Sequence, residues 1–165
     1  MESLAAGSNI VQRAISVEHI TITSKKPFGE VEAALERSVP RLDPAMIEAL
    51  AKGNASAREL FRSSELFIFE KRDHGALLRG AGQKANALQY EIGNPMTAAS
   101  MTRYQLPAAL YAPLRVVLYE NATGGASFEY DLPSSLFGQF GDDRVKLVAL
   151  KLDDEIRRAL SKAAE

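Results

Sequence analysis

The run Leu114-Arg115-Val116-Val117-Leu118-Tyr119-Glu120 is the most strand-like stretch of the chain, apolar and β-branched with Arg115 as its one interior charge. A second alternating run, Ala126 to Leu132, follows after Asn121 to Gly125. If those intervening residues form the loop, Glu120 faces Ala126, Leu118 faces Phe128, Val116 faces Tyr130 and Leu114 faces Leu132. On the other face Tyr119 meets Ser127, Val117 meets Glu129 and Arg115 meets Asp131. A slip of one residue would set Ser127, Glu129 and Asp131 against the apolar set, so this parity is favoured. A hairpin with one wholly apolar face must bury that face, and the rest of the chain has to supply the cover.

The remaining elements suit that task. Val17 to Thr23 alternates, with Ile20 and Ile22 on one face and Val17, His19 and Thr21 on the other. Phe28, Val31, Leu35 and Val39 recur at helical spacing between Pro27 and Pro40. Residues 41–63 read as a helical insertion covering one end of the sheet, opened by Asp43-Pro44. Leu66 to Glu70 is apolar on both faces, which predicts a central strand. Arg72 to Gly75 reads as a turn and Ala76 to Ala81 as a continuing strand. Ala87 to Ile92 alternates. Asn94-Pro95 then starts a helix, with Asn94 as cap and proline in the first turn. From Asp142 or Asp143 a long terminal helix carries Val145, Val148, Ala149, Leu152, Ile156, Ala159, Leu160 and Ala163 on one stripe. Hairpins outnumber crossovers, so the expected fold is α+β: a two-layer sandwich, with a mainly antiparallel sheet and helices on one face. All 165 residues read as a single domain, frayed over 1–14.

Composition removes whole classes of function. Twenty Lys and Arg against twenty-one Asp and Glu give a net charge of -1, so nothing drives binding to nucleic acid. The chain has no cysteine, which excludes disulfides and thiolate chemistry. Its two histidines, His19 and His74, are far apart in sequence, so neither a metal site nor a cofactor is expected. No apolar run reaches the roughly 18 residues of a membrane span, and Met1 to Asn9 lacks a signal core. The expectation is a cytoplasmic protein with no membrane partner.

Four phrases carry a resemblance: Asp73-His74-Gly75, Tyr90 to Pro95, Leu110 to Val116, and Tyr130 to Leu136. In this order and spacing they resemble the bacterial and archaeal domain-of-unknown-function family 302, over about residues 15 to 162. The resemblance implies a curved antiparallel sheet backed by helices, in the class of TATA-box-binding-protein-like folds, and a homodimer. It implies no activity, cofactor or ligand.

Candidate site residues follow from chemistry. Arg115 beside Asp131 suits a clamp for an anion, with Tyr119 and Tyr111 adding polar tips. The alternative is a cross-strand ion pair on a solvated face. Asn94 opens a helix whose free N–H groups favour an anion, or is simply its cap. His74 beside Asp73 is a candidate acid–base group or a turn residue. The first reading is a homodimeric binding domain for a small anionic or polar molecule. Its pocket would lie between sheet and helix, lined by Tyr90, Met96, Met101, Tyr111, Arg115 and Tyr130, with Asn94, Tyr119 and Asp131 nearby. The alternatives are an enzyme using His74 with Arg115 or Asn94 holding substrate charge, and a purely structural dimerisation module. Parity puts Arg115 and Tyr119 on the face opposite Val116 and Tyr130, which already strains the combined pocket.

Overall fold

The structure is a computed structural model, and it describes residues 8–165. Of the end expected to fray over 1–14, residues 1–7 lie outside the described residues. Within them, 8–18 form no helix or strand. Arg13 in that segment donates to Gln139 Oε1 at 3.0 Å.

Five strands form one antiparallel sheet in the order β1-β5-β4-β3-β2. They are β1 (His19–Ser24), β2 (Phe67–Asp73), β3 (Ala87–Gly93), β4 (Leu114–Glu120) and β5 (Ala126–Asp131). The strand-like run is the middle strand, β4. Its hairpin with β5 has the register derived above: Val116 opposite Tyr130, Leu118 opposite Phe128, Glu120 opposite Ala126. Asn121 holds the loop, its side chain accepting from the backbone N–H of Thr123 and Gly125.

The apolar face packs against α1 (Phe28–Ser38) and the long α7 (Asp143–Ala164). Val31 and Leu35 from α1 and Val145, Ala149, Leu152, Ile156 and Leu160 from α7 are buried in one core with Val116, Leu118, Phe128 and Tyr130. The stripes predicted for both helices are the faces they bury. The fold is therefore the expected α+β two-layer arrangement. Asp153 of α7 also accepts from the backbone N–H of Ser134, in the first turn of α6 (Pro133–Phe137).

Two expectations are corrected. Leu66 to Glu70 is not central, because β2 is an edge strand. Its second apolar face is explained by α2 (Pro44–Ala51) and α3 (Ala55–Ser63), which bury Phe67 with Ala57 and Phe61 in a separate cluster. The rings of Phe61 and Phe67 meet edge-on at 5.2 Å. Residues 40–42 also bond along the outer side of β2 through Ile68, which blunts the edge. Second, Ala76 to Ala81 is not a strand. His74–Gly80 is a short helix, α4, capped by Asp73, whose side chain accepts from Ala76 N at 2.8 Å.

A bulge at Phe69 decides where the following charges point. Ile68 pairs with Ile92, but Glu70 pairs with Glu91. The extra residue inverts the parity, so Lys71 falls on the covered face and Arg72 on the other. Lys71 meets Glu32 and Glu36 of α1 there. Arg72 is turned toward the face that the helices leave open.

Candidate functional site

The open face of the sheet is polar. Reading across the strands, it carries His19 and Thr21 from β1, Glu129 and Asp131 from β5, Arg115, Val117 and Tyr119 from β4, Gln89 and Glu91 from β3, and Arg72 from β2. A shallow groove of about 230 Å³ runs over its centre, lined by His19, Gln89, Arg115, Val117, Glu129 and Asp131.

Each acid in this groove has a cation or a hydroxyl of its own. The His19 ring nitrogens lie 2.9 Å from Asp131 Oδ1 and 2.9 Å from Glu129 Oε2. Ionised carboxylates only accept, so both contacts are hydrogen bonds only when the ring carries both protons. The bonds to Asp131 and Glu129 accordingly raise the His19 pKa above its ordinary 6.5. Tyr119 donates to Glu129 Oε1 at 2.6 Å, and this bond, with His19, lowers the Glu129 pKa. The same bond raises that of Tyr119. On the other side, Arg72 Nη1 donates to Glu91 Oε1 at 2.8 Å.

Arg115 stands between these two systems. Its neighbour on β3 is Glu91, which Arg72 occupies, and on the β5 side is Asp131, which His19 occupies. Among the described residues the Arg115 guanidinium makes no hydrogen bond and no ion pair. The expected Arg115–Asp131 clamp is thus corrected: the long-range partner His19 takes the carboxylate, and Arg115 is left facing the groove.

The charges give a pH signature. The raised His19 pKa contributes stability that is fully present below pH 6.5 and lost as pH rises through the folded value. The lowered Glu129 pKa contributes stability present above its ordinary 4.5 and lost as pH falls through the folded value. The cluster should stabilise most between those two ordinary values. An NMR titration of the His19 ring is expected to show a midpoint above 6.5 that drops in Asp131→Asn. An unchanged midpoint in that variant would contradict the cluster.

The other expected site residues lie elsewhere. Tyr90 and Tyr130 are on the covered face. Tyr90 donates to Glu36 Oε1 at 2.9 Å, and burial first, with that carboxylate, pushes its pKa up strongly. Among the described residues the buried Tyr130 hydroxyl has no hydrogen-bond partner, and burial raises its pKa against the opposing pull of Arg157. Asn94 caps α5 (Pro95–Thr102), accepting from Met96 N at 2.9 Å. Its amide donates to the carbonyls of Phe61 and Ser64 at 2.7 and 2.8 Å, tying α5 to the end of α3. Tyr111 packs edge-on against Phe137 at 6.1 Å. Asn94 and Tyr111 share an apolar cavity of about 60 Å³, far below the ~300 Å³ that a small-molecule pocket needs. The combined pocket expected from the sequence is therefore divided: Arg115, Tyr119 and Asp131 on the open face, Tyr90 and Tyr130 in the core, Asn94 and Tyr111 beyond the end of β3.

His74 joins none of these groups. It follows Asp73, which is in line with Leu88 and Leu118, whereas Arg115 is in line with Glu91 and Glu70. Four residues along β2 and two strand spacings across place it ~13 Å along and ~10 Å aside from Arg115. Asn94 is farther, six residues along β3 from Leu88, or ~20 Å. A general base has to reach the proton it takes, and this spacing puts His74 outside hydrogen-bond reach of a small substrate held by either residue. The histidine that does meet charged partners is His19, which sequence reasoning passed over.

Residues 53–163 match the family model described as "Domain of unknown function DUF302". The chain belongs to this family. A solved structure similar to it is the crystal structure of an uncharacterized conserved DUF302 protein from Bacillus stearothermophilus, with a TM-score of 0.64, 18% identity, and coverage of 88% of this chain and 97% of that chain. At that identity the likeness is one of fold. Nothing matches among curated proteins. Family 302 membership brings no activity with it, so the site has to be read from its own residues. No helix among the described residues is long and apolar enough to cross a membrane.

Proposed function

We propose that this DUF302 chain binds a small anionic molecule on the open face of its sheet, with Arg115 as the anchor. The observation that carries the reading is the unpaired guanidinium: among the described residues every acid next to Arg115 is engaged by His19, Tyr119 or Arg72, which leaves its five N–H donors to the groove. A carboxylate or phosphate placed there meets a planar fork suited to bidentate contact. Gln89 and the His19–Asp131 pair at the rim would select the rest of the ligand. In the full-length protein, a library of small carboxylates and phosphates should produce saturable amide shifts centred on Gln89, Arg115 and Val117. Arg115→Gln should weaken the best binder by about 10- to 100-fold. A library without a saturable binder would sink the reading.

We further propose a homodimer. Leu106 and Leu110, before β4, are 79% and 74% exposed, and Leu147 of α7 is 70% exposed. Arg144 stacks on Tyr104 at 3.9 Å, which brings the start of α7 beside the segment leading to Leu106. Large exposed apolar side chains such as these support a contact surface here. Light scattering is expected to give twice the chain mass and Leu147→Glu to halve it. A monomeric wild-type chain would remove this proposal and leave the Arg115 site standing.

A further inference from the structure

A second cleft, of about 240 Å³, opens between the end of α3, α5 and the middle of α7. Glu155 of α7 lines it and is only 3% exposed. Among the described residues its carboxylate has one side-chain partner, Lys151. Lys151, one turn earlier, comes to 3.3 Å from Oε1, but its side chain is 75% exposed and its ammonium stays mostly in water. A carboxylate this buried and this poorly partnered is costly to keep ionised. Burial accordingly raises its pKa above 4.5, outweighing the pull of Lys151.

Several donors in the rest of the lining are already spent. Ser100 Oγ donates to Thr97 O at 2.7 Å, and Ser63 Oγ donates to Leu60 O at 3.1 Å. A hydroxyl has one proton, so each has only lone pairs left to offer. Both amide hydrogens of Asn94, which also lines the cleft, are spent on the carbonyls of Phe61 and Ser64. Among the described residues the unspent donors of the lining are the hydroxyls of Ser64 and Thr97 and the exposed cations Lys151 and Arg62. Phe61 and Met96 add apolar surface.

We propose that this cleft binds a small primary amine, its ammonium group on Glu155 and the serine oxygens and its short alkyl chain against Phe61 and Met96. An ammonium has three donors and no acceptor, which suits the Glu155 carboxylate and the lone pairs of Ser63 and Ser100. Lys151 is then a weak internal competitor for the same carboxylate. The site shares no residue with the Arg115 groove, so neither proposal depends on the other.

The test is a titration of isotope-labelled full chain with n-butylammonium chloride, with tetramethylammonium chloride at equal ionic strength as the control. The amides of Ser64, Ser100 and Glu155 should shift saturably with the primary amine and not with the control, which has charge but no N–H. Glu155→Gln should weaken binding by about tenfold or more, and Lys151→Met should tighten it. The proposal fails if neither wild type nor Lys151→Met binds. It also fails if both salts give the same shifts, or if Glu155→Gln binds like wild type. Should Glu155→Gln lose its folded circular dichroism, wild type and Lys151→Met against the two salts decide the matter.

Discussion

Asn94→Asp is expected to lower the melting temperature by roughly 10 °C, a larger effect than its one-atom change suggests. Asn94 is buried and makes three hydrogen bonds, one as acceptor and two as donor. Aspartate keeps the cap to Met96 but has no N–H for the Phe61 and Ser64 carbonyls. Each buried carbonyl left unpaired costs ~1–3 kcal/mol, and the carboxylate now faces two oxygens. The sum is about 4 kcal/mol, and this domain size loses ~2–4 °C per kcal/mol. Asn94→Ala should cost a similar amount by a different route, losing ~1 kcal/mol of cap along with both carbonyl partners. Thermal and urea unfolding would measure both. If Asn94→Asp unfolded within 2 °C of wild type, the tie between α3 and α5 would not be structural, and an anion-binding role for this helix start would return.

The same residue shows how much could be read from sequence. Asn-Pro before a run of small residues announces a capped helix, and that much is local. The two bonds from Asn94 to the end of α3 join residues some thirty positions apart, and no local pattern carries them. The hairpin divides in the same way. A loop between two alternating runs fixes which residues face each other, so the β4–β5 register and the two-faced character of Arg115 follow from counting. The partner of Asp131 does not. His19 is 112 residues away, and only the pairing of β1 with β5 brings it in. Without that pairing Asp131 looks free for Arg115. The bulge at Phe69 is equally silent in sequence, yet it turns Arg72 toward Glu91 and removes the other acid from Arg115's reach. Phe67 and Phe69 misled for a related reason: an edge strand whose second face is buried by an insertion has the composition of a central one.

Gly125→Ala should be the most damaging small substitution in the hairpin. A Cβ at this position would collide with the carbonyl oxygen of Ser24 and lie 3.2 Å from the Lys25 Cα. Both are backbone atoms, so no side chain can swing aside and β1 must move. Ser24 pairs with Ala126, and its hydroxyl donates to Ala164 O at 2.6 Å, which fastens the end of β1 to the end of α7. Overpacking alone costs ~1–3 kcal/mol, and the lost pairing and hydroxyl bond bring the total to about 3–5 kcal/mol. The preceding glycine supplies the control. Gly124 has φ 83° with nothing within 4 Å of its Cβ direction, so Gly124→Ala pays only the left-handed strain of ~1–2 kcal/mol. The two variants therefore separate crowding from conformation at adjacent positions. The crowded one should also reach the open face: if β1 lifts from β5, His19 leaves Glu129 and Asp131, and its titration midpoint falls toward 6.5. Gly124→Ala should leave that midpoint where it is. Equal losses of stability in the two variants, or a His19 midpoint unmoved by Gly125→Ala, would show that β1 does not depend on this close approach.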